Sequence, residues 1–128
     1  MNYTIIIPLY NESQNLEKLH QEIALVILKL SNPNRNFELI YINDGSTDNT
    51  MNILLSLNYD NFQFKLINHK KNLSQSVSLN SGIKESTFDN VIFLDGDRQN
   101  DPADIILMVK EFEKGADLVH GYRRKRKD

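Results

Sequence analysis

Cysteine is absent from the 128-residue sequence, which excludes disulfide frameworks, thiolate zinc sites and cysteine nucleophiles. Long apolar runs are absent as well. The candidate runs at 5–7 and 23–28 are far shorter than the roughly 18–20 apolar residues that span a bilayer. Residues 1–4 hold no basic segment of the kind that opens a secretory signal. Because 40% of the residues are apolar, enough for one core, the sequence predicts a single cytoplasmic globular domain.

Charge is distributed unevenly along the chain. The formal net charge is -2, from 15 basic and 17 acidic residues. Residues 123–128 hold five basic residues and one acidic residue, a net charge of +4, which leaves -6 for residues 1–122. Nucleic acid is not an expected partner, because an acidic body repels a phosphate backbone. The basic segment fits either a solvated terminus or a chain that continues in a longer protein.

Apolar runs and helical stripes alternate from end to end. Continuous apolar runs predict strands at 3–9, 37–42, 62–67, 91–94 and 117–120. Helical spacing predicts helices at 16–30, after Asp48, at 74–84 with Gly82 in close packing, and from Asp101 and Pro102 to Gly115. This alternation predicts an α/β fold, a mostly parallel sheet with helices on both faces. Ligands of such sheets bind beyond the carboxyl ends of the strands, so the residues that follow each strand are the candidates for chemistry.

Two details concern the first helix. Asn11 followed by Gln14 resembles a capping box at its start. His20 lies within it and is expected to be solvated.

Asp95 and Asp97 follow the fourth predicted strand and are separated by a glycine. Two carboxylates at this spacing can hold a hard cation such as Mg²⁺ or Mn²⁺, and Gln99 adds a neutral oxygen donor. The alternative is an acidic turn that leads into a helix cap at Asp101. The position at the end of a buried strand favours the metal site.

Polar residues also follow the first and second strands. Pro8 ends the first strand, Tyr10 offers a flat face for a nucleotide base, and Glu12 offers a carboxylate. Asp44 follows the second strand, where a carboxylate can accept from a base N–H or a hydroxyl. A strand terminus with an aromatic lid, and a turn followed by a helix cap at Asp48, remain the alternatives.

Histidines supply a weaker signal. His69 and His120 follow strands and are candidates for lining a site, but the three histidines lack metal-ligand spacing. A glycine-rich phosphate loop of either nucleotide-binding type is absent.

Taken together, the three strand-end motifs resemble the family 2 glycosyltransferases, nucleotide-sugar-dependent enzymes of the GT-A fold. The matching segments are IIIPLYNE at 5–12, INDGSTD at 42–48 and LDGDRQNDP at 94–102. They occur in the family's order and cover essentially the whole chain. The segments QNDP at 99–102 and GYRRKR at 121–126 look most like the polyprenyl-phosphate branch, which includes dolichyl-phosphate mannose synthases and undecaprenyl-phosphate glycosyltransferases.

The resemblance implies a nucleotide site. Pro8, Tyr10 and Glu12 match positions around the base and ribose. Ile42 and Asp44 match the second wall of that pocket.

The resemblance also implies a metal and phosphate site. Asp95, Asp97 and Gln99 match the segment that binds Mg²⁺ or Mn²⁺. Asp95 also lies close to the sugar nucleotide in this family, so Asp95 and Asp97 are the expected catalytic pair. Arg123 matches a basic residue that approaches the diphosphate or the acceptor phosphate.

The expected protein is an inverting glycosyltransferase that moves a sugar from a UDP- or GDP-sugar to a polyprenyl phosphate or glycan. Residues 1–122 are the expected nucleotide-sugar-binding domain, and 123–128 the expected point of truncation. The acceptor half, and any membrane association, would then belong to the full-length protein, and this chain alone would have little activity. Two alternatives stay open: a non-catalytic nucleotide-binding domain and a phosphoacceptor signalling domain. The latter needs paired acids after the first strand, where this sequence has Pro8 and Tyr10.

Overall fold

Four parallel strands form the centre of the structure, a computed structural model that describes residues 1–95 and 101–115. The elements in chain order are β1 (Asn2–Leu9), α1 (Leu16–Leu30), β2 (Asn36–Asp44), α2 (Thr50–Ser56), β3 (Gln63–His69), α3 (Gln75–Glu85), β4 (Asn90–Phe93) and α4 (Asp104–Glu113). The strand order is β3-β2-β1-β4, and every neighbouring pair is parallel. In β1, seven of the eight residues are buried, as the continuous apolar run predicts for a strand covered on both faces.

Helices cover both faces of this sheet. On one face, apolar residues of α1, α2 and α4 pack against alternate residues of the strands, such as Ile5 and Leu39. On the other face, Leu79 of α3 packs against Ile6 and Ile40. These two apolar clusters confirm the predicted α/β class and the predicted cover on both faces.

Gly82 lets α3 lie close to the sheet. A Cβ at this position would lie 2.6 Å from the Ile6 side chain. The glycine therefore serves close packing, as predicted.

The direction in which strands are added reverses beside β1. From β1 the sheet grows through β2 to β3 on one side, whereas β4 lies on the other. Such a reversal opens a crevice at the carboxyl ends of the two strands between which it occurs. This order differs from the 2-1-3-4-5 order of phosphoacceptor domains, so that alternative does not fit the described sheet.

Two of the predicted helix caps are wrong. Asn15, without a side-chain cap, precedes α1, and Asn11 instead has a φ of +52° and bonds to a different loop. α4 begins at Asp104 rather than at Pro102. Asp101 accepts a hydrogen bond from the Ala103 N–H at 2.9 Å, which forms a separate turn before the helix. Local sequence cannot distinguish these cases, because the same side chains stabilise turns and helix starts equally well.

Other boundaries differ from prediction by a few residues. The strand predicted at 117–120 lies outside the described residues. Among the helices that are described, none is both long enough and apolar enough to cross a membrane.

Candidate functional site

A cleft of about 400 Å³ lies at the carboxyl ends of β1, β2 and β4, where the strand order reverses. We call it the strand-end cleft. Its lining residues are Pro8, Leu9, Tyr10, Glu12, Asp44, Asn72, Ser74, Gln75 and Asp95. Acidic, amide and aromatic groups from four separate segments therefore meet at one edge of the sheet.

Asp44 is the last residue of β2 and is only 5% exposed. Its Oδ1 accepts hydrogen bonds from His69 Nδ1 at 2.9 Å and from the Leu73 backbone N–H at 3.0 Å. The Asn72 side chain donates to its backbone carbonyl at 3.2 Å. The carboxylate is thus held in a fixed orientation at the wall of the cleft.

Gly45 makes this arrangement sterically feasible. Its φ of +75° is unfavourable for other residues, and a Cβ there would collide with the backbone of Lys71 and Asn72. The glycine therefore lets the segment after β3 approach Asp44 closely.

Asp95 lies two residues after β4 and is also only 5% exposed. The Gln75 side chain donates to its Oδ2 at 3.1 Å, from the first residue of α3. A second nearly buried carboxylate thus lines the cleft, on the other side of β1 from Asp44.

The β1–α1 loop carries Tyr10 and Glu12 into the cleft. Tyr10 is 47% exposed, so a large part of its side chain is accessible to a ligand. Asn11 fastens this loop to the β2–α2 loop, since its Oδ1 accepts from the backbone N–H groups of Thr47 at 2.7 Å and Asp48 at 3.2 Å. The β1–α1 loop, which lines the cleft, is therefore fastened to the β2–α2 loop.

Asp48 strengthens the same connection. Its carboxylate accepts from Thr50 N–H at 2.9 Å and from Ser13 N–H at 3.3 Å. Burial acts to raise the pKa of Asp48, but these hydrogen bonds outweigh it and lower the pKa to about 2. The lowered pKa favours the ionised carboxylate, the form that accepts these hydrogen bonds. Asn49, rather than the predicted Asp48, is the N-cap of α2, although Asp48 accepts a hydrogen bond from the first N–H of that helix.

Comparison with known proteins identifies the family. The family described as Glycosyl transferase family 2 matches residues 4–128. The chain belongs to glycosyltransferase family 2. The resemblance stated from the strand-end motifs is confirmed.

Relatives with curated names are longer than this chain. It is 35% identical over 123 residues to an uncharacterized glycosyltransferase of Synechocystis sp.. It is 33% identical over 130 residues to a dodecaprenyl-phosphate galacturonate synthase of Rhizobium johnstonii. These alignments cover 96% and 100% of this chain, but only 38% of each relative.

Solved structures show the same fold. The S. aureus TarS 1-349 complex with UDP-GlcNAc aligns with a TM-score of 0.66 at 23% identity, covering 89% of this chain and 32% of that one. The TarS complex with UDP aligns with a TM-score of 0.57 at 25% identity, covering 88% and 33%. The likeness to these glycosyltransferases confirms the GT-A fold.

The structure brings most of the predicted nucleotide residues of this glycosyltransferase domain together. Pro8, Tyr10, Glu12, Asp44 and Asp95 all line the strand-end cleft. Their assignment to particular parts of a nucleotide stays a prediction.

The other predicted site residues are Ile42, Asp97, Gln99 and Arg123. Ile42 is fully buried in the apolar cluster beneath α3 and does not line the cleft. Asp97, Gln99 and Arg123 lie outside the described residues. The described residues alone contain no group of three acidic or histidine side chains that could hold a metal ion. Of the predicted metal ligands, only Asp95 is described, and its carboxylate at the cleft wall fits a ligand's position.

Sequence reasoning missed the segment after β3. Asn72, Ser74 and Gln75 line the cleft, and the backbone of Leu73 holds Asp44. The signal was available, because this segment follows the carboxyl end of a parallel strand.

His20 does not have the predicted solvated environment. It is 4% exposed, its Nδ1 lies 2.7 Å from the Tyr41 hydroxyl, and its Nε2 lies 2.7 Å from the Asn58 carbonyl oxygen. Burial lowers its pKa, against a smaller upward effect of the Asn58 hydrogen bond. His20 shares the buried helical face with Leu16 and Ile23, and its two nitrogens are satisfied there.

Proposed function

We propose that this chain is the donor-binding domain of an inverting glycosyltransferase that uses a UDP- or GDP-sugar. The observation that carries the proposal is the strand-end cleft, which combines an exposed tyrosine ring with carboxylates from three strand ends. A nucleotide offers a flat base, donor groups on the base and ribose, and a charged diphosphate. The base and the donor groups have counterparts among the cleft residues, whereas the diphosphate would be met by a cation held at Asp95.

The nucleoside would occupy the side of the cleft formed by β1 and β2. The Tyr10 ring would stack on the base, while the carboxylates of Asp44 and Glu12 would accept from base N–H or ribose O–H groups. Pro8 would limit the depth of the pocket. Because Asp44 is held by fixed donors, it would be oriented before the ligand binds.

The diphosphate would lie near Asp95. We assign Asp95, Asp97 and Gln99 as the ligands of Mg²⁺ or Mn²⁺, with Arg123 approaching phosphate. A cation bound there supplies positive charge that stabilises the nucleoside diphosphate as it leaves. The Gln75 amide donates to Asp95 Oδ2 and so fixes the rotamer of this carboxylate.

A polyprenyl phosphate is the proposed acceptor. Support comes from the Rhizobium relative, whose name includes dodecaprenyl phosphate and which aligns with the whole of this chain. An acceptor phosphate oxygen would attack the anomeric carbon of the sugar, and the bond to the nucleoside diphosphate would break with inversion. Such a lipid would be met at the cytoplasmic face of the membrane, by the whole protein rather than by this domain alone.

A thermal-shift panel tests the donor site. The melting temperature would be measured with UDP, GDP, CDP and dTDP, each with and without Mn²⁺. We expect one nucleotide to raise the melting temperature, and to raise it further with Mn²⁺, because ligands that bind only the folded state stabilise it. If all four leave it unchanged under both conditions, the proposed donor site is wrong.

Matched carboxylate variants test the metal assignment. Asp95→Asn and Asp97→Asn should remove most of the Mn²⁺-dependent part of the affinity for the best nucleotide, because a neutral amide is a poor ligand for a hard cation. Asp89→Asn is the control, since Asp89 is exposed and lies directly before β4, at the opposite edge of the sheet. Equal Mn²⁺ dependence in all three variants would contradict the assignment.

A further inference from the structure

Beside the strand-end cleft, the side chains of Asp44, His69 and Ser81 form a hydrogen-bonded line. His69 Nδ1 lies 2.9 Å from Asp44 Oδ1, and His69 Nε2 lies 3.1 Å from the Ser81 hydroxyl oxygen. The three residues come from the end of β2, the end of β3 and the middle of α3. His69 itself does not line the cleft, and its side chain is only 12% exposed.

The partners determine the hydrogen positions. An ionised carboxylate only accepts, so His69 Nδ1 must carry the proton that bonds to Asp44. In the neutral ring, Nε2 then accepts from the Ser81 hydroxyl. Because Ser81 belongs to α3, the imidazole is held at both ends and cannot turn away from Asp44 without breaking both bonds.

These bonds act on only one of the two carboxylate oxygens. Asp44 Oδ1 accepts from both His69 and the Leu73 backbone N–H, whereas Oδ2 accepts no hydrogen bond from the described residues. Asp44 lines the cleft, so Oδ2 is the oxygen whose acceptor capacity a ligand bound there would use.

We propose that His69 is a positioning residue for nucleoside recognition, which holds Asp44 so that its Oδ2 accepts a hydrogen bond from the base or ribose. The inference rests on the proposed nucleotide site. It adds a residue outside the cleft that acts on ligand affinity only through Asp44. Ser81 supports His69 in turn, and its contribution should be smaller because the bond to Asp44 survives its loss.

Two variants at position 69 test the proposal. His69→Leu removes both hydrogen bonds, whereas His69→Asn places an amide N–H near the position of Nδ1 and keeps a donor toward Asp44. The dissociation constant would be measured by calorimetry for whichever of UDP, GDP, CDP and dTDP the wild-type protein binds most tightly. We expect His69→Leu to weaken binding about tenfold, the size expected when a hydrogen bond to a charged group is lost. His69→Asn should recover most of that loss, and Ser81→Ala should weaken binding about two- to threefold.

Binding of inorganic pyrophosphate distinguishes a positioning role of His69 from general damage to the fold. It lacks the nucleoside, so its affinity in the presence of Mn²⁺ should be the same in wild type and His69→Leu. His20→Gln is the matched control, because His20 is also buried and hydrogen-bonded but has no contact with the cleft, so its nucleotide affinity should be unchanged.

The outcomes identify which proposal fails. If the wild-type protein binds none of the four nucleotides, the donor-site proposal fails. If it binds one, and His69→Leu binds it equally well or loses pyrophosphate affinity to the same extent, only the role of His69 is wrong. Should His69→Leu fail to fold, unchanged nucleotide affinity in Ser81→Ala, together with tenfold weaker binding by His69→Asn, would overturn the role.

Discussion

His20 and His69 lie on opposite faces of the same sheet, and each uses both ring nitrogens in hydrogen bonds. Their partners differ in charge. His20 contacts a tyrosine hydroxyl and a carbonyl oxygen, which give the protonated ring no compensating negative charge, whereas His69 contacts the carboxylate of Asp44. The same residue type therefore supports the core in one place and borders the candidate site in the other.

His20 should make the stability of the protein depend on pH. Burial lowers its pKa below the ordinary 6.5, so between these two values the unfolded state binds a proton that the folded state does not. The stabilisation that neutral His20 gives the folded state is therefore complete above about pH 6.5. It is lost as the pH falls through the lowered pKa of His20. His20→Gln should be less stable than wild type by about 1–2 kcal/mol at pH 7.5, and this difference should narrow toward pH 5.

Urea unfolding at pH 7.5, 6.5, 5.5 and 5.0 would measure the difference. The comparison between the two proteins cancels groups that titrate equally in both. A gap that stays constant or widens on acidification would show that His20 is not held in its neutral form.

At the scale of the elements, two loops act together. The β1–α1 loop carries Tyr10 and Glu12, which line the cleft. The β2–α2 loop carries the two backbone N–H groups that donate hydrogen bonds to the Asn11 side chain. Asn11 has a φ of +52°, a conformation that asparagine tolerates better than most residues. Backbone conformation and side-chain bonding therefore both favour asparagine at this position.

Substitution of Asn11 should lower the stability of the protein and also weaken nucleotide binding in the cleft. Asn11→Ala loses the side-chain acceptor and adds backbone strain, so we expect about 2 kcal/mol of destabilisation and weaker nucleotide binding. Asn11→Gly removes only the acceptor and should cost less, while Asn11→Asp keeps an oxygen acceptor and should lie closest to wild type. Chemical unfolding and nucleotide calorimetry on the three variants would check this order. Equal stability of the alanine and aspartate variants would contradict the role of the side-chain oxygen.

Local sequence predicts elements better than it predicts these connections. Continuous apolar runs predicted the four described strands, because a strand buried on both faces is apolar throughout, and helical spacing predicted the helices, because a helix buried on one face is apolar at every third or fourth residue. Asn11 was expected to cap α1, yet it bonds across to residues 36 and 37 positions later in the chain. A short polar side chain has the same local preference for either use, so only the neighbouring loop decides between them.

At the scale of the whole molecule, the two ends of the sheet have different roles. The carboxyl ends of the strands border the cleft, whereas Glu38 lies near the amino ends, buried beneath the loop that follows α3. Its carboxylate accepts from Thr4 at 2.9 Å and from the Thr87 N–H and hydroxyl at 2.7 Å, and Lys65 lies 3.3 Å away. Burial acts to raise the pKa of Glu38, but these contacts together outweigh it and lower the pKa.

Glu38→Gln should therefore separate stability from binding. We expect a loss of about 2–3 kcal/mol at pH 7, because a buried charge-assisted network loses acceptor capacity. Nucleotide affinity should be unchanged, since the cleft lies at the other end of the strands. The folded carboxyl has a lowered pKa, so its contribution is present above the ordinary 4.5 and lost as the pH falls below it.

Urea unfolding at pH 7 and pH 3.5, with nucleotide calorimetry at pH 7, would check both parts. The stability difference between Glu38→Gln and wild type should shrink at pH 3.5. A change in nucleotide affinity comparable to that of Asp95→Asn would contradict the separation of the two ends.

By itself the sequence determined the α/β class, the family and the clustering of Pro8, Tyr10, Glu12, Asp44 and Asp95. It could do so because parallel strands carry continuous apolar runs and their carboxyl ends share one edge, so residues that follow them are brought together. Tertiary structure alone decided that His20 bonds to Tyr41 and Asn58, that Ile42 lies in the core rather than in the cleft, and which side chains of the segment after β3 line the cleft. These outcomes depend on contacts between residues distant in the chain, and no local pattern records which partner a polar side chain will meet.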